Sequence, residues 1–394
     1  MGVPADSVNT FDLDENYAFT LHNHCTEAGM GNFILKLGKV CGDLLRVRLS
    51  QLKVPCDFLV AGPPCPPWSG TGNRASVDDI RARVFFRILV WIYFLVHCGG
   101  LLGVVLENVT GIAMRYDNRE PVILMFLRVL RQHIPEFAWT VDRLRLRDFK
   151  IPHARVRMFL RGIRRVICHE VPPPLKPFGE RPIREVLGKN IPNILLSDLS
   201  EPQQHNLAMY ENTIIQQFNT GRFAKGDIVM FPVDRVEDAV SYKGSISINI
   251  CPTLTCSNRY LLVSTISDIV DNVPYEKREF FRWLANVERL TLQGFRKEVA
   301  LELTDASAFK AAGNAYPIPL IISAVHPMIQ AIHQAIAAGF NFVDWPPSEM
   351  LEFGTPIGIA EFERAIQRKP KLLPKQQHKA GHPDSMQNSN ALYI

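Results

Sequence analysis

The stretch Asp57-Phe58-Leu59-Val60-Ala61-Gly62-Pro63-Pro64-Cys65-Pro66-Pro67-Trp68 decides the reading of this 394-residue chain. Residues 57–61 have the apolar run of a strand buried inside a sheet, and the glycine and prolines that follow end it abruptly. A cysteine held between prolines just past such a strand has little backbone freedom. It sits where α/β sheets gather their ligands, at the carboxyl end of a strand. Taken alone, a thiol of this kind is as a rule a buried structural group; a nucleophilic role needs surroundings that favour the thiolate.

Outward from this stretch, segments of strand character at 9–13, 103–107, 140–146 and 156–162 alternate with helical ones. The pattern predicts an α/β domain with a mostly parallel sheet. Residues 88–106 carry no charge except a possible one on His97, so a membrane span has to be weighed. Arg81, Arg83 and Arg87 precede the run, Gly99-Gly100 interrupts it and Glu107-Asn108 closes it, so a buried helix followed by a short buried strand is expected, and no membrane partner. The formal net charge of +5 permits a polyanionic partner without demanding one. Eight cysteines without a CxxC pair argue against a zinc ribbon or a disulfide scaffold. His22, His24 and Cys25 lack a second ligand pair, so no metal is expected. No basic-then-apolar leader opens the chain.

Prolines 172, 173, 174, 177 and 182 mark a connector, beyond which a region of short irregular segments runs to about 276, with strands expected at 227–231 and 245–250. Helical patterning returns at 277–292 and 316–340. The expected organisation is a catalytic domain at 1–166, a recognition region at 167–276, a further catalytic part at 277–345 and an extension at 346–394. That extension is basic and disordered from about 366.

Two more elements carry chemistry. Glu107-Asn108-Val109 puts a carboxylate at the end of the next buried strand, facing the same crevice as Cys65. Pro152-His153-Ala154-Arg155-Val156-Arg157 aims two guanidiniums at one face of an extended segment. Arg143, Arg145 and Arg147 alternate in the same way, and are read as a solvated strand face rather than as phosphate contacts.

In this order the elements resemble the cytosine-5 DNA methyltransferase family, from about residue 10 to residue 335. Gly62-Pro63-Pro64-Cys65 is similar to the nucleophile loop, Glu107-Asn108-Val109 to the acid motif and Arg155-Val156-Arg157 to the paired-arginine motif. Further on, Arg289-Leu290-Thr291-Leu292-Gln293-Gly294-Phe295 and Gly313-Asn314-Ala315-Tyr316-Pro317 resemble the two late motifs. The resemblance implies a Rossmann-like S-adenosylmethionine-dependent methyltransferase domain with a smaller target-recognition domain. It also implies a reaction in which Cys65 adds to carbon 6 of a flipped cytosine while Glu107 holds ring nitrogen 3. Arg157 would hold the base carbonyl, with Arg155 and Asn108 supporting the loop and the acid. For the cofactor, S-adenosyl-L-methionine, the resemblance implies Asp12 at the ribose (Asp14 as the fallback), Asp43 and Leu44 at the adenine, Pro63, and Asn314 near the methionine end.

The family's opening Phe-x-Gly-x-Gly loop has no counterpart before Asp12, so the domain is expected to be N-terminally truncated; Pro66 and His153 also stand where other residues are usual. Duplex DNA is the expected partner. Transfer RNA is ranked below it, because Cys251-Pro252-Thr253 replaces the Cys-Phe-Thr of the transfer-RNA branch. A catalytically silent DNA-binding or regulatory homologue is the reading from another class. A nuclear location is expected if the organism is a eukaryote, and the oligomeric state is left open.

Overall fold

The computed structural model describes residues 44–49, 52, 56–69, 78–115, 119–234, 246–256, 260–301, 303–340 and 356–367. The expected strand at 9–13, together with Asp12, Asp14 and Asp43, lies outside them.

The first lobe starts with strand β1 (Phe58–Ala61), helix α1 (Ala82–Cys98) and strand β2 (Gly103–Val109). The uncharged stretch thus divides into a helix and a strand around Gly99, which stops α1 with its amide on the Leu95 carbonyl. Helix α2 (Val122–His133) follows, then strands β3 (Phe137–Arg145) and β4 (Val156–Arg164). The sheet order is β1-β2-β4-β3. Among the described residues only β1 and β2 run parallel, while β4 is antiparallel to both neighbours, so this part of the sheet is mixed rather than mostly parallel. The link from β3 to β4 is too short for a crossover helix, and a chain that turns back at once pairs antiparallel.

Alternation along β2 divides the core. Val104 and Leu106 face α1 and α2, where they meet Phe85, Phe126 and Leu130; Val105 faces the other way, with Phe159 of β4.

The second lobe contains helix α3 (Glu201–Asn219), strands β5 (Ile228–Pro232), β6 (Ser247–Ile248) and β7 (Leu261–Thr265), helix α4 (Ile266–Val270) and strand β8 (Phe281–Trp283). Its strands are ordered β6-β5-β7-β8 and are all antiparallel. Two features depart from expectation. Residues 281–283 form an edge strand inside the span read as helix, because Phe281 and Trp283 gain partners along β7. And α3 is a regular helix where irregular structure was expected: Leu207, Tyr210 and Ile214 form one buried stripe, and Gln203 accepts the Ser200 amide at 3.0 Å in a capping box.

Helices α5 (Asn286–Thr291), α6 (Lys297–Leu301) and α7 (Asp305–Asn314) complete the second lobe, with Leu290, Ala308 and Ala312 packed on the far face of its sheet. The chain then returns to the first lobe as α8 (Ile318–Ala337), which lays Leu320, Ala324 and Met328 on Val105 and Phe159. By length and composition α8 could cross a membrane, but one face of it is core. Helix α9 (Pro356–Ile366) rests on α1 and α2, with Phe362 stacked on Tyr93 at 4.6 Å.

Candidate active site

The carboxyl ends of β1 and β2 and the start of β4 meet in one crevice, because β1 and β2 run parallel and the first residues of antiparallel β4 lie beside the last of β2. Register pairs Val109 with Arg157 and Glu107 with Phe159. Residues two apart on a strand share a face, so Arg157 can lean along β2 onto Glu107. Arg157 Nε lies 2.7 Å from Glu107 Oε1, both side chains buried. Burial pushes the Glu107 carboxyl above the usual range, against the pull of Arg157 and Arg155.

Cys65 opens the turn after β1, with the Trp68 amide on its carbonyl at 2.9 Å. Burial raises its thiol to about 11, with Glu107 adding to the rise and Arg157 and Arg155 opposing it. At neutral pH the thiol is therefore protonated, and a substrate or a proton acceptor has to draw off its proton. Asn108 connects loop and strand: its Nδ2 donates to the Pro63 carbonyl at 3.2 Å and its Oδ1 accepts the Val109 amide at 2.9 Å.

Arg155 is directed elsewhere. It donates to the carbonyls of Leu254 at 3.1 Å, Gly313 at 3.0 Å and Ala315 at 2.8 Å, which joins β4 to the end of the second lobe and to the link into α8. Burial, and then neighbouring Arg157, lower its pKa to about 9, so it is still a cation at neutral pH.

Two glycines allow these segments to approach. A Cβ on Gly62 would fall 1.4 Å from the Tyr316 hydroxyl oxygen, and one on Gly313 would fall 2.6 Å from the Cys256 amide nitrogen. Tyr316 therefore closes over the end of β1. The Cys256 thiol donates to Asn314 Oδ1 at 3.0 Å.

Of the residues expected to hold S-adenosylmethionine, Pro63 lies in the nucleophile loop and Asn314 ends α7, while Leu44 opens a short 3-10 turn beside α1. The space beside Gly62 is filled by the Tyr316 ring, which brings the link that follows Asn314 against the nucleophile loop that carries Pro63.

Some residues of the site carried no sequence signal of their role. His153, Thr253 and Tyr316 are bound into the crevice by contacts with segments more than ninety residues away or by packing, which no local pattern announces. Arg145 and Arg147 pair with Asp148, and Arg147 also with Glu180.

Comparisons add three findings. The family described as C-5 cytosine-specific DNA methylase matches residues 30–330. The Type II methyltransferase M.DsaV of Dactylococcopsis salina is 22% identical over 322 residues, covering 80% of either chain. Solved structures with a similar chain course include a Spodoptera frugiperda DNMT2 variant (13% identical, 83% and 93% covered, TM-score 0.48) and the S. pombe Dnmt2 methyltransferase (16%, 84% and 92%, 0.47).

The ranking of duplex DNA above transfer RNA is corrected: transfer RNA is not the lesser candidate. Cys251 and Thr253 are bonded to residues 152–154, so the 251–253 element serves the chain's own packing and does not separate one polynucleotide from the other.

Proposed function

Because this chain belongs to the C-5 cytosine-specific DNA methylase family of S-adenosylmethionine-dependent methyltransferases, we propose that it methylates carbon 5 of cytosine in a nucleic acid through a covalent bond to Cys65. The observation that carries the reading is the convergence of Cys65, Glu107 and Arg157 at adjoining strand ends, with the buried Arg157 guanidinium 2.7 Å from the Glu107 carboxylate.

A flipped cytosine in this crevice meets Glu107 along its ring nitrogen 3 edge, and Arg157 is assigned to its carbonyl oxygen. A proton or a hydrogen bond donated by Glu107 to ring nitrogen 3 withdraws electrons from the ring, and the Cys65 sulfur adds to carbon 6 after passing its proton to a base or to solvent. That addition makes carbon 5 nucleophilic. S-adenosylmethionine, when bound, supplies the electrophilic methyl group. A base then removes the carbon 5 proton, the bond from sulfur to carbon 6 breaks, and the thiolate leaves with its electron pair. Asn108 holds the Pro63 carbonyl and so fixes the loop that aims the sulfur. Leu44, Pro63 and Asn314 are assigned to the cofactor, with Asp12 for the ribose and Asp43 for the adenine amino group.

The test is covalent trapping with labelled cofactor and 5-fluorocytosine placed in duplex DNA or in transfer RNA. An adduct on one of the two, lost in Cys65→Ser, is expected, and the substrate that traps identifies the nucleic acid. No adduct on either would sink the reading.

A further inference from the structure

His153 lies between the two lobes with no exposed surface, and both of its ring nitrogens are bonded. The Leu254 amide donates to Nε2 at 3.2 Å, so Nε2 carries the lone pair and Nδ1 the hydrogen, which points at the Leu292 carbonyl 3.0 Å away. These partners are 101 and 139 residues distant in sequence. The backbone reinforces the same seam: the Cys251 amide donates to the Pro152 carbonyl and the Ala154 amide to the Cys251 carbonyl, each at 2.8 Å. Thr253 Oγ1 donates to the Ala154 carbonyl at 3.2 Å. Two residues further along β4's approach, Arg155 grips the Leu254 carbonyl of the same strap and, beyond it, the carbonyls of Gly313 and Ala315.

We infer that His153 is a positioning residue: it seats the 251–254 strap of the second lobe on the segment leading into β4, and thereby sets the direction in which Arg155 and Arg157 enter the crevice. The inference rests on the proposed function for its catalytic consequence, though not for the seating itself. Neither nitrogen is free to touch a substrate, so the effect of His153 on the reaction passes through the arginines. One donor and one acceptor at the ends of a planar group are what the seat requires. A glutamine carboxamide offers both, and a leucine of similar bulk offers neither.

Three chains of full length decide the matter: the natural protein, His153→Gln and His153→Leu. Amide hydrogen exchange of residues 251–256 reads the seat directly and needs no activity. Fast exchange in His153→Leu with protection kept in His153→Gln is expected; equal protection in all three overturns the inference. Trapping with 5-fluorocytosine substrates reads the consequence. In His153→Leu the rate of adduct formation is expected to fall about 10- to 100-fold, the effect of misplacing a reacting group by an ångström, with cofactor affinity held within about twofold. In His153→Gln most of the rate should return. A rate per folded molecule unchanged in His153→Leu overturns the positioning role, whereas absence of an adduct in the natural protein counts against the proposed function and leaves the exchange result to judge the seat. Should His153→Leu fail to fold, Thr253→Val removes one bond from the rim of the same strap: a slower adduct with intact cofactor binding supports the seat, and an unchanged rate with unchanged exchange overturns it.

Discussion

Glu107 and Arg157 form a buried pair in which each is costly without the other. Arg157→Ala leaves an uncompensated carboxylate in the crevice, which typically destabilises by about 3–5 kcal/mol. Glu107→Gln strips the buried Arg157 guanidinium of its counter-ion but keeps the shape and an amide oxygen able to accept from it, so chemical denaturation should show a loss there too, the smaller of the two. Catalysis should rank the two differently from stability. Glutamine cannot protonate ring nitrogen 3, and methyl transfer per folded molecule is expected to drop about 10²- to 10⁴-fold. A Glu107→Gln protein that transfers methyl groups at the natural rate would remove Glu107 from the mechanism. Glu107 was legible in the sequence because it ends a buried strand beside Asn108, and Arg157 because it alternates with Arg155 on an extended segment. His153 was legible only as a departure from a pattern, since its two partners are brought to it by the tertiary fold.

Among elements, strands β2 and β4 read clearly because both faces are covered and their apolar runs are nearly unbroken. Helix α3 did not, since its exposed side is rich in Gln, Asn and Glu and only a narrow stripe is buried; the Ser200-Glu201-Pro202-Gln203 capping signature was the cue available. Strand β8 is three residues long, and its state is set by β7, not by its own propensity. Two substitutions test element packing. Gly62→Ala would drive a methyl group into the Tyr316 ring; it is expected to destabilise by about 1–3 kcal/mol and to slow trapping by displacing the 313–316 link. Phe362→Ala, on the α9 face that meets Tyr93, should cost about 3–5 kcal/mol of stability while the trapping rate per folded molecule stays unchanged. Thermal melts and single-turnover trapping together distinguish the two behaviours.

At the scale of the whole molecule, the seam between the lobes carries a pH dependence. Burial lowers His153 from its ordinary 6.5 to about 3, with the charge of Arg155 adding to the effect. Between those values the unfolded chain binds a proton that the folded chain does not, so stability is complete above pH 6.5 and declines as the pH falls toward 3. His97, lowered to about 4 chiefly by burial, acts in the same direction. Urea midpoints at pH 7 and pH 5 should therefore differ less in His153→Gln than in the natural protein, with the remaining difference due to His97 and the other titrating groups. An equal difference in both proteins would mean that His153 is protonated at no cost.

The grip of Arg155 also has a bearing on how the protein is made. The arginine that steadies the crevice emerges from the ribosome 158 residues ahead of the Gly313 carbonyl it must hold. At about 5–20 residues per second, that interval lasts roughly 10–30 s. Throughout it, the nucleophile loop and the acid are already synthesised but lack the clamp that orders them. The nascent chain is thus inert as a methyltransferase until the Gly-Asn segment is translated, and ribosome-bound chains stalled before residue 313 should form no adduct with a trapping substrate.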